Sequence, residues 1–287
     1  MGKATGPARA STHDPSKLGR RFKQLLRSEE VILGGIIFEI IRTPIVKLYR
    51  QAGFDFIYAD NEHVHMSGLP AMGDFILCAR DNQLPVIAKV PELGRPEVAR
   101  LLEAGVVGIQ LPRTESREDL ETLIDYMKFP PLGTRAGAPL YGNVDYVWPA
   151  DSRKWLQDAN DSTVVMAHIE TRKGFENFEQ IVSTPHLDMV YVGPFDFSIS
   201  MGQPGDYDHP DVRGPMEHIL ELCLKHDVPF GTTASGTEAA ARWIALGARF
   251  FEVVDELSLI ARGAAQTVDE YRIAVKTVRA VKDYIKG

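Results

Sequence analysis

The chain has 287 residues, of which 44% are apolar and 25% charged, as is ordinary for a globular protein. Its net charge of −7 argues against a general nucleic-acid or anionic-membrane binder, and no apolar run reaches the roughly 18 residues that span a bilayer. The small, polar beginning lacks the apolar core of a signal peptide, so we expect a cytoplasmic protein. We expect its two cysteines, Cys78 and Cys223, to be buried free thiols.

Strand-like and helix-like segments alternate along most of the chain. We expect residues 1–20 to be a disordered tail and residues 21–287 to form one domain. Short apolar runs predict strands at 31–38, 54–60, 85–90, 108–111, 164–169, 189–192, 229–232 and 250–253. Helices are predicted at 45–51, 69–82, 96–104, 117–128, 174–183, 214–226 and 238–246, and a long amphipathic helix at about 257–285.

Eight strands with interleaved helices in fewer than 300 residues predict a (β/α)8 TIM barrel. An open doubly wound sheet is the alternative, but that fold typically has a glycine-rich turn between an early strand and the start of the next helix. Gly34 and Gly35 lie inside the first strand instead. One insertion, at about 129–161, breaks the alternation. A segment of this length is typical of a lid, a binding loop or a subunit contact.

Two acidic residues follow neighbouring predicted strands. Glu170 comes directly after one strand and Asp196 shortly after the next, 26 residues later. Because side chains at the carboxyl ends of barrel strands converge, these carboxylates predict a site for a hard divalent cation such as Mg, Mn or Co. The alternative is structural: such acids also cap helices or pair with Arg172 or Lys173.

The other predicted strand ends are also polar, and they occur within recognisable motifs. In chain order the motifs are Gly53-Phe54-Asp55-Phe56, Asp60-Asn61-Glu62-His63, Pro85-Val86-Ile87-Ala88-Lys89-Val90, Leu101-Leu102-Glu103-Ala104-Gly105, Gly108-Ile109-Gln110-Leu111-Pro112, Gly133-Thr134-Arg135, Ile169-Glu170 and Gly193-Pro194-Phe195-Asp196-Phe197-Ser198. In this order the chain resembles the HpcH/HpaI aldolase family, the metal-dependent class II pyruvate aldolases of the pyruvate/phosphoenolpyruvate barrel superfamily. The resemblance covers about residues 30–262.

The resemblance implies a role for each matching polar residue. Glu170 and Asp196 would be the two metal ligands, and His63 the catalytic base that takes the proton from the substrate hydroxyl. Asp60 and Glu62 would orient metal-bound water and the histidine. Glu103 matches an acid that pairs with this histidine, often from a neighbouring subunit; the alternative is an exposed acid at a helix end.

The resemblance also suggests how the substrate is held. The backbone N–H groups of Phe195 and Asp196, after Gly193 and Pro194, would cradle the carboxylate of a 2-oxo acid. Arg135 is a candidate for binding an anionic acceptor, with a structural salt bridge as the alternative. The aldehyde would contact the rim formed by residues 64–66, Arg113 and the insertion.

Two residues depart from the family pattern. Lys89 stands where the family usually has an arginine that steadies the enolate, and a lysine keeps the charge but loses the planar fork. Asn61, between Asp60 and Glu62, replaces a smaller or less polar residue.

The predicted activity is reversible aldol cleavage of a 4-hydroxy-2-oxo acid to pyruvate, or a close 2-oxo acid, and an aldehyde through a metal-stabilised enolate. Alternatives are a decarboxylase or other lyase of an oxaloacetate-like acid, a Schiff-base aldolase through Lys89, and a catalytically retired binding protein. The resemblance further implies a homo-oligomer, with a hexamer favoured, in which the last helix is exchanged between subunits. No nucleic-acid or membrane partner is expected.

Overall fold

A computed structural model describes residues 14–64 and 69–286 of the chain. In this part of the chain, eight parallel strands pair in sequence order and close into a barrel, which confirms the predicted (β/α)8 fold. The strands are β1 Ile32–Ile37, β2 Phe56–Ala59, β3 Val86–Lys89, β4 Gly108–Leu111, β5 Val164–Ile169, β6 Met189–Val192, β7 Phe230–Thr232 and β8 Phe250–Asp255. The helices are α1 Pro15–Leu26, α2 Thr43–Ala52, α3 Leu69–Asp81, α4 Arg95–Ala104, α5 Arg117–Met127, α6 Ser152–Ser162, α7 Arg172–Glu176, α8 Phe178–Val182, α9 Pro194–Ser200, α10 Pro210–Lys225, α11 Gly236–Leu246 and α12 Glu256–Lys286.

The strands are apolar on both faces because each face packs against a different layer. The outer face belongs to a large core shared with the surrounding helices, while the inner face fills the barrel. Strand β8 closes on β1, and the register shifts between Gly34 and Gly35. Gly34 has to be a glycine because a β-carbon there would overlap the ring of Phe56.

Helix α1 closes the N-terminal end of the barrel. Its start is fixed by Asp14, whose Oδ1 accepts the N–H of Ser16 at 3.0 Å. Leu18, Phe22 and Leu26, spaced four residues apart, are buried among the inward-facing side chains of the barrel. The prediction of a disordered tail over residues 1–20 is therefore wrong for residues 15–20; residues 1–13 lie outside the described part of the chain.

The insertion predicted at 129–161 contains a helix that was not predicted, α6. Residues 129–151 are irregular apart from a 3-10 turn at Gly142–Val144, and α6 follows. Helix α6 is capped by the Asp151 carboxylate and packs beside α1, where Arg20 Nη1 lies 3.0 Å from Asp158 Oδ1. Arg80, in the last turn of α3, donates to the carbonyl of Gly142. The insertion therefore covers the N-terminal end of the barrel, not the carboxyl ends of its strands.

The predicted C-terminal helix is present as α12, and its side chains beyond Glu256 are exposed wherever they are described. The predicted helix at 174–183 is two short helices, α7 and α8, that meet at Asn177. Cys223 is buried and Cys78 half-buried, and both are free thiols. Within residues 14–64 and 69–286, no helix combines the length and apolarity needed to cross a membrane.

Candidate active site

The loop after β2 is organised by the buried carboxylate of Asp60. Its Oδ1 accepts the backbone N–H groups of Glu62 at 2.7 Å and His63 at 2.8 Å, which fixes the direction in which both side chains leave the loop. Asn61 donates its side-chain amide to the carbonyl of Lys89 at 2.8 Å. Asn61 therefore links this loop to the end of β3 through a hydrogen bond.

Lys89 is the buried cation at the centre of the site. Its Nζ forms a salt bridge with Glu62 Oε2 and lies 3.5 Å from His63 Nε2 and 4.0 Å from Glu170 Oε2. Burial by itself would lower the pKa of Lys89, but the Glu170, Glu62 and Asp60 carboxylates outweigh it and raise that pKa above its ordinary value. Lys89 is thus an ammonium ion that joins the β2 loop to β5.

Glu170 is buried at the end of β5 with one oxygen engaged and the other free. Its Oε1 accepts the backbone N–H of Arg113 at 2.6 Å. Its Oε2 lies 3.2 Å from His168 Nε2, but in geometry this contact is not a hydrogen bond, and Oε2 has no donor among the described residues. A buried carboxylate oxygen without a donor is well suited to bind a cation.

His168 packs beneath Glu170 and against β6. Burial, together with the charge of Lys89, holds the pKa of His168 well below its usual range, so the ring is neutral. A β-carbon at position 193 would overlap His168 Nε2, so Gly193 is required for this packing. The sequence places His168 at a strand end, but its contact with Glu170 was not predicted.

Asp196 lies close to Glu170 by topology. Ile169 and Val192 are register partners on β5 and β6, so Glu170 and Gly193 are the next residues at adjacent strand ends. Gly193 and Pro194 begin α9, and Phe195 and Asp196 are exposed in its first turn. Among the described residues, no group of three or more His, Cys, Asp or Glu side chains is arranged to hold a metal.

Two predicted site residues lie at the opposite end of the barrel. Glu103 is in the last turn of α4, which leads into the start of β4. Arg135 is buried, with its guanidinium carbon 4.7 Å from the centre of the Phe129 ring. Within one chain, therefore, neither Glu103 nor Arg135 joins His63, and a role at this site would require a neighbouring subunit. Of the predicted rim, residues 65–66 lie outside the described part of the chain.

A polar layer inside the barrel was not predicted. Glu252 on β8 is buried, and this burial raises its pKa to about 8, although the neighbouring Tyr191, Lys89 and Gln110 oppose the shift. The Tyr191 hydroxyl lies 2.6 Å from Thr233 Oγ1. The signal was available in the sequence, because Gln110, Tyr191 and Glu252 each interrupt an apolar strand.

Comparisons with known proteins identify the family of the chain. Residues 46–262 match the family model described as HpcH/HpaI aldolase/citrate lyase. A 5-keto-4-deoxy-D-glucarate aldolase of Shigella dysenteriae serotype 1 is 26% identical over 258 residues, which cover 88% of this chain and 96% of that protein.

Solved structures of this family share the whole barrel. An HpcH/HpaI aldolase from Desulfitobacterium hafniense DCB-2 is 25% identical with a TM-score of 0.82, covering 87% of this chain and 96% of the other. A family protein from Burkholderia cenocepacia J2315 is 27% identical with a TM-score of 0.80, covering 88% and 99%. The chain is an aldolase-type carbon–carbon lyase and belongs to the HpcH/HpaI aldolase/citrate lyase family.

Proposed function

We propose that the protein catalyses metal-dependent, reversible aldol cleavage of a 4-hydroxy-2-oxo acid to pyruvate, or a close 2-oxo acid, and an aldehyde. The observation that carries this proposal is the buried Glu170 Oε2, which has no hydrogen-bond donor among the described residues and lies 4.0 Å from Lys89 Nζ. The site thus combines a free anionic oxygen with a fixed cation, and His63 at its outer edge.

Glu170 and Asp196 would hold the divalent cation, and Mg, Mn and Co all suit carboxylate ligands. When bound, such a cation acts as a Lewis acid toward the 2-oxo acid and stabilises negative charge on its enolate. The backbone N–H groups at Phe195 and Asp196, in the first turn of α9, would bind the substrate carboxylate.

His63 would take the proton from the C4 hydroxyl as the C3–C4 bond breaks, so that the C4 oxygen becomes the aldehyde carbonyl and the bonding electrons form the enolate. The same proton would then return to C3 of the enolate and give the 2-oxo acid. Glu62 Oε2 lies 3.6 Å from His63 Nε2 and also pairs with Lys89, so it would orient both groups. The Lys89 ammonium would stabilise the charge that develops on the enolate oxygen. Asp60 would act indirectly, by holding the loop that carries Glu62 and His63.

The relatives suggest the first substrate to assay. Because aldolases 26% identical to this chain are named for 5-keto-4-deoxy-D-glucarate, this sugar diacid and simpler 4-hydroxy-2-oxo acids form the test set. Pyruvate release would be measured with a coupled dehydrogenase in the presence of Mg, Mn or Co. We expect EDTA to abolish turnover and each suitable metal to restore it.

Glu170→Gln tests the carboxylate directly. It should reduce turnover about 100-fold or more, because an amide removes the negative charge from the buried oxygen. Glu121→Gln is the matched control, since Glu121 pairs with Arg117 at 2.7 Å on the exposed face of α5, and it should keep full activity. Turnover that survives both EDTA and Glu170→Gln would contradict the proposal.

A second candidate activity is decarboxylation of an oxaloacetate-like acid through the same enolate. It is favoured by Lys89, whose point charge replaces the planar fork of an arginine. CO2 release from oxaloacetate, measured beside pyruvate release from hydroxy-oxo acids, separates the two activities. The Schiff-base alternative is disfavoured because Lys89 Nζ is held in a salt bridge with Glu62.

We also propose that the chain forms a homo-oligomer, with a hexamer favoured, in which α12 is exchanged between subunits. Leu257, Ile260, Tyr271 and Val275 lie on one face of α12 and are exposed in the single chain, which is costly for an apolar stripe of this length. An oligomer would also allow Glu103 of one subunit to approach His63 of another. Light scattering that shows a monomer would contradict this.

A further inference from the structure

A second concave site lies at the N-terminal end of the barrel, away from the candidate active site. It is a cavity of about 550 Å³ between α1, α6, the turn from α4 to β4, and the insertion. This volume is within the range of small-molecule sites. Its apolar walls include Leu102, Val107, Val144, Trp148 and Trp155.

The cavity contains a buried cation without an anionic partner. Arg135 lines it and is 6% exposed. Among the described residues, no carboxylate lies within 4.0 Å of its guanidinium, and its Nε has no hydrogen-bond acceptor. Burial lowers the pKa of Arg135 to about 10, with Glu103 opposing, so the group is still charged at neutral pH. A buried, unpaired charge is costly, and an anion in the cavity would relieve that cost.

Asn143 is a second polar residue that lines the cavity, and one of its side-chain atoms has no hydrogen-bond partner among the described residues. Asn143 donates its amide to the carbonyl of Ala138 at 3.3 Å, while its buried Oδ1 has no donor among the described residues. The acids that line the cavity already have partners: Asp14 and Asp151 cap helices, and Asp158 pairs with Arg20 and Lys154. Arg135 is therefore available to an incoming anion.

We propose that this cavity binds a small organic carboxylate with an apolar, flat body and a hydroxyl group. The carboxylate would pair with Arg135, the body would pack between Trp148 and Val144, and the hydroxyl would stay at the open side of the cavity. The site would be independent of Glu170 and Lys89, so it does not rest on the proposed function.

The experiment is isothermal titration of the full-length protein with 3-hydroxybenzoate as the probe. We expect binding that saturating oxalate and metal do not displace. The neutral isostere 3-hydroxybenzamide should bind at least 10-fold more weakly, because it cannot pair with the guanidinium. Arg135→Gln should weaken 3-hydroxybenzoate at least 10-fold, and Arg100→Gln, an exposed arginine on α4, should leave its affinity unchanged.

Arg135 is buried, so circular dichroism must first show that the Arg135→Gln variant is folded. If that variant does not fold, the test uses Trp148→Ala instead. Trp148 is 61% exposed, so its replacement should lower the affinity for 3-hydroxybenzoate without unfolding the chain. The proposal is overturned if the probe does not bind, if oxalate displaces it, or if it binds the amide equally well. It is also overturned if neither folded variant weakens binding.

Discussion

Glu256, the first residue of α12, offers a sharp test of how the loop after β1 is held. Its carboxylate is 2% exposed and accepts three backbone N–H groups. Oε1 accepts from Glu39 at 2.7 Å and Ile40 at 3.0 Å, and the N–H of Phe38 is shared between Oε2 at 3.0 Å and Oε1 at 3.2 Å. Glu256→Gln keeps the shape but replaces one acceptor oxygen with an NH2 group and removes the charge.

The size of the effect follows from these contacts. The N–H of Phe38 would lose its bond to Oε2 and keep the longer one to Oε1 at 3.2 Å, which costs about 1 kcal/mol. The bonds from Glu39 and Ile40 would survive as neutral ones, each weaker by about 1 kcal/mol. We therefore expect Glu256→Gln to lower the free energy of unfolding by about 3 kcal/mol.

Urea denaturation checks this expectation, because the midpoint should fall while the slope stays constant. Glu39→Gln is the matched control, since the Glu39 side chain is exposed and only its backbone takes part; its midpoint should not move. A loss below about 1 kcal/mol for Glu256→Gln, or an equal loss in the control, would refute the reasoning.

Three further predictions concern the interior of the barrel. Lys89→Met should lower kcat by about 10²–10³-fold because the fixed positive charge is lost. Treatment of the wild-type enzyme with borohydride and pyruvate should trap no covalent adduct, and a trapped adduct would establish the Schiff-base mechanism instead. Gly193→Ala should displace His168 and destabilise the fold by about 1–3 kcal/mol, seen as a lower melting temperature; an unchanged melting temperature would show that the ring has room to move. The pKa of Glu252 is raised from 4.5 to about 8, so the folded state binds more protons than the unfolded state between these values, and stability from this group is lost as pH rises from about 5 to 8. Glu252→Gln should flatten that part of the stability profile, measured in EDTA, and an unchanged slope would contradict the assignment.

The strands were predictable because their signal is local. A strand such as Val164–Ile169 is buried on both faces, so its apolar run stands out in the sequence. Parallel strands then place Glu170 at the same end of the barrel as Asp60 and Lys89, without further information. This part of the site needs only the fold and the sequence.

Other features depend on packing between distant segments. Leu18, Phe22 and Leu26 repeat at helical spacing among polar residues, so α1 itself could have been predicted, but its position across the end of the barrel could not. Arg135 belongs to a motif that suggests a binding role. Its place at the N-terminal end of the barrel, however, depends on its packing against Phe129 and on the path of the insertion. The contact of His168 with Glu170 follows from side-chain packing between β5 and β6, which a linear pattern does not reveal.

Because α1 closes one end of the barrel, reactants and products share a single opening. Glu170 is 3% exposed at the inner side of the site, whereas 57% of the His63 side chain is exposed at the outer side. In the proposed reaction the aldehyde forms on the outer side and the 2-oxo acid on the inner side. The aldehyde therefore has to leave first. Steady-state kinetics should accordingly show pyruvate as a competitive inhibitor of cleavage and the aldehyde as a noncompetitive one.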